Sequence, residues 1–382
     1  MKILFLTEHF PSPDSPDSSP VSFFASQKLS TKHKVTVIHA NFQVGLTKPE
    51  IKVEVYNENY EVVRLGIALP PKGDRLWLRC ILLRIALNFV QDKLDYLKDC
   101  DLIFARLATT PGWAGVQFGK KHKIPTVIWA VGSDIHTYPQ IPILKHFNKY
   151  ALKNAKGIVC NSNFLAEETE KLGINKSKII VANTGIADTL FVPKNKMDCR
   201  KHLNLPLDKN IVVFAGHLIP IKGIDILLES WKEFVAKNPN SLLTLCGSGE
   251  GINSYRKFTK DNGFSKSVIF RAAIAHKDVA DWFGASDVVV LPSRNEGFPA
   301  VLMEAQSCGR PVVATKVGGI PEIVNSDDLG ILVSPENSNE LTEALEKVFN
   351  TNWNRDKIVA ASKRFSWNKF GENIDDFIKN IV

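Results

Sequence analysis

Nothing in this chain brings two cysteines together at a short spacing. The six cysteines, Cys80, Cys100, Cys160, Cys199, Cys246 and Cys308, form no Cys-x-x-Cys, and most sit in apolar stretches. That excludes zinc ribbons and dithiol redox motifs, and it predicts reduced, buried core thiols in a cytoplasmic protein. Long apolar runs are also missing. The longest, Ile81 to Val90, is interrupted by Arg84 and Asn88, well short of the about 20 apolar residues that span a bilayer. The opening Met1-Lys2-Ile3-Leu4-Phe5-Leu6 runs directly into Glu8 and His9, which is too short for a secretory leader and suits a first buried strand. No internal repeat is visible. The one biased segment is the Pro/Ser/Asp stretch from Pro11 to Pro20. Neither an aromatic-basic RNA-binding run nor a paired Cys/His zinc spacing occurs, so nucleic acid lacks its usual signatures as a partner.

What is present is core-forming material. The chain has 382 residues, 44% of them hydrophobic, with 22 Phe and 7 Trp. That is enough for two or three domains with ordinary cores, and too aromatic for disorder. The net charge of +8 is unevenly spread: residues 1–200 carry 27 Lys+Arg against 18 Asp+Glu, and residues 201–382 carry 21 against 22. A basic half beside a neutral one predicts an anionic partner for the first half only.

Short apolar runs alternate with helical stretches along the whole chain. A first series comprises 3–7, 34–39, 61–65, 102–105, 126–130, 157–161 and 178–181. A second comprises 211–215, 241–246, 268–270, 288–291, 311–314 and 330–333, with helices such as 225–237 and 299–307 between them. Strands that are apolar on both faces belong in parallel sheets covered by helices, so the chain is read as two doubly wound α/β domains. The expected boundaries are 1–190, a hinge at 191–204 around the polar Pro193-Lys194-Asn195-Lys196, and 205–365. The Pro11–Pro20 stretch follows the first strand, where it either overhangs the ligand-binding edge or is a plain loop.

Residues 286–323, SDVVVLPSRNEGFPAVLMEAQSCGRPVVATKVGGIPEI, are the most informative. A buried strand runs into a loop with Gly297, and Pro299 is expected at the first position of a helix. The amides of Ala300, Val301 and Leu302 would then be free to bind an anion. Glu296 lies in the loop and Glu304 inside the helix, seven residues apart, so the two carboxylates can meet different parts of one ligand.

This phrase resembles the Glu-x7-Glu signature of retaining glycosyltransferase family 4. Other segments extend the resemblance over essentially the whole chain. Gly216-His217-Leu218 with Lys222-Gly223 is similar to the family's Gly-Arg-Leu…Lys-Gly loop, and Gly247-Ser248-Gly249 to its Gly-x-Gly. Gly132-Ser133-Asp134 resembles part of its His-Gly-Ser-Asp motif, Asn183-Thr184-Gly185-Ile186 its Pro-Asn-Gly-Val, and Phe365-Ser366-Trp367 the start of its last helix. The resemblance implies the GT-B fold: two Rossmann-like domains facing a cleft, with a terminal helix at 366–382 returning to the first. It implies a nucleoside-diphosphate sugar donor on the second domain and a carbohydrate or lipid-linked acceptor on the first.

In that frame Glu304 would accept from the ribose hydroxyls. Glu296 would sit by the donor sugar, with the backbone around Gly297, Phe298 and Pro299. Lys222 would neutralise the leaving diphosphate. Gly216, His217, Gly247 and Gly249 would surround the diphosphate, and backbone near Arg271 would read the base. Asp134 is expected among the catalytic residues; Gly132, Ser133, Arg106 and His9 are expected on the acceptor side. The resemblance implies no metal and no cofactor. Asp99-Cys100-Asp101 has the form of a metal-binding Asp-x-Asp but precedes its strand, away from the ligand edge, and reads as a solvated loop.

Three departures stand out. Val131 replaces the family's His, which implies either a donor lacking the 6-hydroxyl or a contact supplied by His136. His217 stands for an Arg, which removes a bidentate clamp. A Gly-Gly after the first strand is absent. The basic stretch Arg75–Arg84 invites a membrane-surface reading, but its polar residues do not form one stripe, so a domain helix is preferred. Lys120-Lys121-His122-Lys123 reads as a helix end. The leading expectation is a metal-independent, retaining hexosyltransferase of surface polysaccharide or glycoconjugate synthesis, cytoplasmic, with peripheral membrane contact through its basic half. A nucleotide-sugar epimerase of the same fold and a non-catalytic partner subunit are the alternatives.

Overall fold

The computed structural model describes residues 1–12, 20–46, 49–70 and 75–381. Most of the Pro/Ser/Asp stretch, 13–19, lies outside them. The chain divides into two units, 1–185 with 367–382, and 186–366.

The first unit carries β1 (Lys2–Thr7), β2 (Lys34–Val44), β3 (Glu50–Asn57), β4 (Tyr60–Leu69), β5 (Leu102–Arg106), β6 (Thr126–Ala130), β7 (Gly157–Cys160) and β8 (Ile179–Val181). Their order in the sheet is β3-β4-β2-β1-β5-β6-β7-β8. All pairs are parallel except β3 with β4. The chain therefore winds outward in both directions from the β1/β5 pair. Apolar residues on both faces of β1 explain the parallel sheet: Ile3 and Phe5 join one core layer, Leu4 and Leu6 the other.

The second unit carries β9 (Asn210–Ala215), β10 (Ser241–Cys246), β11 (Val268–Arg271), β12 (Val288–Leu291), β13 (Val312–Thr315) and β14 (Gly330–Val333). Its order is β11-β10-β9-β12-β13-β14, all parallel, and its switch point is the β9/β12 pair. In open α/β sheets, ligands bind at the carboxyl ends of the strands flanking such a switch.

The helix Trp367–Ile381 belongs to the first unit. Phe370, Ile374, Phe377 and Ile378 join Phe5, Phe104 and Trp129 in one core layer, with the Phe370 and Trp129 rings 5.0 Å apart. Its buried Asp375 accepts from Lys32 at 3.0 Å and Lys379 at 2.7 Å and pairs with His33 at 3.0 Å. These bonds hold Asp375 down to about 2, the Lys379 bond contributing most.

Several expectations need adjusting. The stretch 191–204 lies inside the second unit: it contains the helix Lys196–His202, and Phe191 is fully buried against Phe283 and His276. The strand β3 lies outside the series of apolar runs. The helix Leu76–Lys93 buries Cys80, Leu83, Leu87 and Val90 as an ordinary domain helix. Among the described residues no helix is long and apolar enough to cross a membrane. Asp101 accepts the Lys2 amide at 2.7 Å, at the amino end of β5. Lys120, Lys121 and His122 close the helix Trp113–His122.

Candidate active site

In the second unit the loops after β9 and β12 carry the decisive groups. Lys222 ends a short turn, Pro220–Lys222, that follows β9; Glu296 lies in the loop after β12. Lys222 Nζ donates to Glu296 Oε1 at 2.6 Å, and Ser293 Oγ donates to the same oxygen at 2.7 Å. Both ionic groups are half-buried, so the pair keeps contact with water.

The two loops are fastened together by Arg294. Its amide donates to the Ile221 carbonyl at 2.8 Å. Its guanidinium forks onto Asp225 at 2.8 and 2.7 Å and reaches the Pro220 carbonyl and Glu336. These bonds hold Arg294 far above any titration near neutrality. Gly223 (φ +66°) is required beneath them, because a Cβ there would fall 2.1 Å from the Pro292 carbonyl oxygen. Gly318 (φ +54°) packs just as closely on the other side of the loop, where a Cβ would fall 1.7 Å from the Glu296 carbonyl oxygen.

The helix after the loop spans Ala300–Ser307, with Pro299 one residue earlier as its N-cap rather than its first residue. Leu302's amide is already taken by the Pro299 carbonyl at 3.3 Å, so the amides that open the helix are those of Ala300 and Val301. Phe298 is buried and meets Phe365 edge-on at 5.6 Å, which seats the loop beside Gly297. Glu304 is half-buried on the same helix, and His276 Nε2 bonds its Oε1 at 2.8 Å. The His276 ring packs edge-on to Phe191 at 5.0 Å.

The remaining donor-side expectations lie along the same sheet edge. Gly216 donates to the Cys246 carbonyl at 3.0 Å, Gly247 to that of Arg271 at 3.2 Å, and Leu218 to that of Ser248 at 2.9 Å, so the loops after β9, β10 and β11 are joined. Gly249 sits directly against the Leu218 carbonyl. His217 is exposed. Arg271 ends β11, its guanidinium 5.4 Å from the Trp282 ring.

The first unit places the other expected residues at its own switch point. His9 follows β1 and Arg106 ends β5. Shielding from water, then the Arg106 and Arg79 cations, pull His9 down to about 4. His9 is an exposed residue by surface area, and the two neighbouring cations act on it in the same downward direction. Arg106 is partly buried, with Nε and Nη1 closed to water, and lies 5.6 Å over the Trp129 ring. After it, Leu107 takes a left-handed φ of +79°, and residues Ala108–Gly112 form a wide π-type turn, a combination that concentrates at functional sites.

Asp134 corrects a further expectation. It is fully buried; Oδ1 accepts the amides of Val131 at 3.1 Å and Gly132 at 3.0 Å, and Oδ2 that of Ala108 at 2.9 Å. Burial pushes its carboxyl up while the three amides hold it down. It therefore ties the turn after β5 to the turn after β6 as a positioning residue and does not face a ligand. Ser133 beside it is exposed. His136 stacks on Phe164 at 4.9 Å with Nε2 buried, so its ring is committed to packing.

Residues 195–365 match the family model "Glycosyl transferases group 1", and residues 25–189 match "Glycosyltransferase Family 4". The chain belongs to this glycosyltransferase family. A D-inositol 3-phosphate glycosyltransferase of Corynebacterium aurimucosum is 32% identical over 231 residues, 56% of this chain and 54% of that protein. An uncharacterised glycosyltransferase of Methanocaldococcus jannaschii is 28% identical over 273 residues, 70% of this chain and 72% of that one. The chain thus spans about half the length of the first of these relatives. Among solved structures, sucrose-phosphate synthase of Thermosynechococcus elongatus superposes with a TM-score of 0.80 at 19% identity, over 99% of this chain and 98% of that one. Anabaena HepE in complex with UDP gives 0.77 at 19%, over the full length of both. At these identities the likeness establishes the fold, two Rossmann-like domains of the GT-B type.

The sequence reading named Lys222, Glu296 and Glu304, and the structure adds Ser293, Arg294, Asp225 and His276 around them. Arg294 was visible in the loop, but nothing in a sequence tells which carboxylates a loop arginine will reach. His276 follows β11 by a few residues, and that position at a sheet edge was the available signal.

Proposed function

We propose that this protein is a retaining glycosyltransferase. It moves a sugar from a nucleoside diphosphate to a carbohydrate or lipid-linked acceptor, without a metal, in glycoconjugate or surface polysaccharide synthesis. The observation that carries this reading is the Lys222–Glu296 pair at 2.6 Å, at the switch point of the second sheet. Before the donor binds, the two ions neutralise each other. A diphosphate draws the Lys222 ammonium away from Glu296 and, as the anomeric C–O bond breaks, Lys222 and the amides of Ala300 and Val301 stabilise the departing anion. Glu296, released, supports positive charge at the anomeric carbon. Glu304, oriented by His276, accepts from the ribose hydroxyls. Anabaena HepE, solved with UDP and with UDP-glucose, supports a nucleotide-sugar donor. The basic first unit supports an acceptor that is anionic or lies at an anionic membrane surface.

The test is a panel of nucleoside-diphosphate sugars incubated with the protein, with release of nucleoside diphosphate as the readout. One donor should be turned over by the wild type, and Glu296→Gln should lower that rate by about 10²-fold or more. Conversion of the sugar into its epimer without nucleotide release would favour an epimerase. No turnover of any donor would remove the catalytic reading.

A further inference from the structure

The first sheet carries a second charged feature, at the edge opposite its switch point. At the amino ends of β6 and β7 lies a cleft of about 590 Å³, within the size range of ligand pockets. Its floor is apolar, with Ile124 and Ala155 buried. Four lysines line it, Lys120, Lys123, Lys156 and Lys178, and among the described residues no carboxylate does. The strand β6 runs from Thr126 at the cleft to Ala130, so about 15 Å of strand separates the cleft from the ligand edge.

These lysines are held without being neutralised. Lys120 Nζ donates to the Tyr150 hydroxyl at 3.2 Å and to Asn154 Oδ1 at 2.6 Å. Lys178 Nζ donates to the carbonyls of Lys153 and Ala155, both at 3.1 Å. All these acceptors are neutral, and each ammonium keeps a third N–H. Two cations are thereby fixed at the end of the helix Pro142–Asn154. Lys123 and Lys156 are exposed, and their ammonium groups meet no partner among the described residues.

Cations at helix ends have an ordinary use, which is to balance the helix dipole. Here they exceed it. Three helices end at the cleft, Trp113–His122, Pro142–Asn154 and Trp367–Ile381. Their carbonyl ends amount to roughly −0.5 each. Four lysine charges therefore leave an excess of roughly +2.5. Lysines on other helices of this chain are answered by a carboxylate one turn away: Lys171 by Glu168 at 2.6 Å, Lys257 by Asp261 at 2.7 Å and Lys379 by Asp375 at 2.7 Å.

We propose that this cleft binds a ligand carrying at least two phosphate charges, at a site separate from the one that transfers the sugar. Lysines are point charges without a planar fork, so they select for the amount of negative charge more than for the shape of one group. A single carboxylate would leave most of the excess unmet. A basic rim over an apolar floor suits phosphates carried on a less polar body. A soluble phosphate ester and the headgroups of an anionic bilayer share this chemistry. The site stands on its own charges and does not depend on the transfer reading.

Tripolyphosphate is the soluble probe. It is titrated calorimetrically at pH 7.5 and low salt into the full-length Lys222→Ala protein, so that the cation of the proposed donor site is absent. The comparison is the same protein carrying Lys123→Asn and Lys156→Gln; asparagine suits the left-handed backbone at 123, where φ is +60°. The double change should weaken binding by about 10-fold or more, and binding by the parent should fade as salt rises. Lys260→Gln with Lys266→Gln removes the same charge from the second unit and should leave the affinity within about twofold. Vesicles of phosphatidylcholine with phosphatidylglycerol separate the two sources. Sedimentation of the parent that the double change abolishes assigns the headgroup, and a tripolyphosphate difference without vesicle binding assigns the soluble ester. Circular dichroism checks folding; should the double variant not fold, Lys156→Gln alone should weaken binding by about 3-fold. Parent and cleft variant alike in both arms, no binding in either arm, or an equal loss in the Lys260→Gln, Lys266→Gln protein overturns the proposal.

Discussion

The two units differ in how the charged side chains at their switch points are paired. In the second unit the site's principal ions are matched among the described residues. Lys222 meets Glu296, Arg294 meets Asp225 and Glu336, and Glu304 meets His276. In the first unit the Nε and Nη1 of Arg106 are closed to water and meet no acceptor among the described residues, and its charge bears on His9. The overall charge mirrors this contrast. Drawn on the structural boundary, the first unit holds 26 Lys+Arg against 19 Asp+Glu and the second 22 against 21. Under the proposed function a neutral domain binds the diphosphate through local pairs and helix amides. Net charge reports the surface of a domain and says little about its site.

The matched site makes the strongest demands on its parts. Lys222→Ala should lower transfer by about 10²–10³-fold, since it removes the cation facing the leaving group; initial-rate measurement with the best donor checks this. A fall of less than threefold would place Lys222 outside the chemistry. Arg294→Lys should act through Lys222 and Glu296. It loses the fork and loosens two loops, so kcat should fall by about 10-fold, while a merely structural arginine would lower the melting temperature without that change in kcat.

Stability separates the units in a different way. Phe370→Ala should cost about 3–5 kcal/mol by opening a cavity beside Trp129. The loss should appear as earlier melting of the first unit, followed by hydrogen exchange on β1 and β6; protection lost equally in β9 and β12 would show that the units unfold as one. Acid should also strike the first unit. Burial, then the Arg64 cation, pull the buried His39 down to about 4. The unfolded chain takes a proton on this histidine below about pH 6.5, and the folded one only below about 4. The unfolded state therefore binds more protons in that window, and stability falls as pH falls through it, by about 1–2 kcal/mol at pH 5. His39→Gln should flatten this part of the melting-temperature profile.

Much of this was legible in the sequence, for physical reasons. Strands such as Thr126–Ala130 and Val288–Leu291 are buried on both faces and carry no polar interruption, so their runs match the structure residue for residue. The strand β3 failed that test because it is an antiparallel edge. Glu50, Lys52 and Glu54 break its apolar run, Val53, Val55 and Tyr56 are exposed, and such charges are what keep an edge from pairing further. At the site, Glu296 and Glu304 are legible through the whole phrase of residues 286–323 in which their spacing is set. The orientation of Asp134 was not, because a short turn decides whether a carboxylate faces a ligand or its own backbone amides. The same limit hid the reach of Arg294 and the closing of the Arg106 Nε and Nη1 to water.

The central claim is that Lys222, Glu296 and Glu304 form a nucleoside-diphosphate site whose own ion pair gives way to the ligand. Calorimetric titration of nucleoside diphosphates into wild type, Lys222→Ala and Glu304→Ala tests it most directly. At least one nucleotide should bind the wild type, and each variant should weaken it by about 10-fold, the cost of one charge-assisted contact. No binding by any nucleotide, or equal binding by all three proteins, would contradict the account.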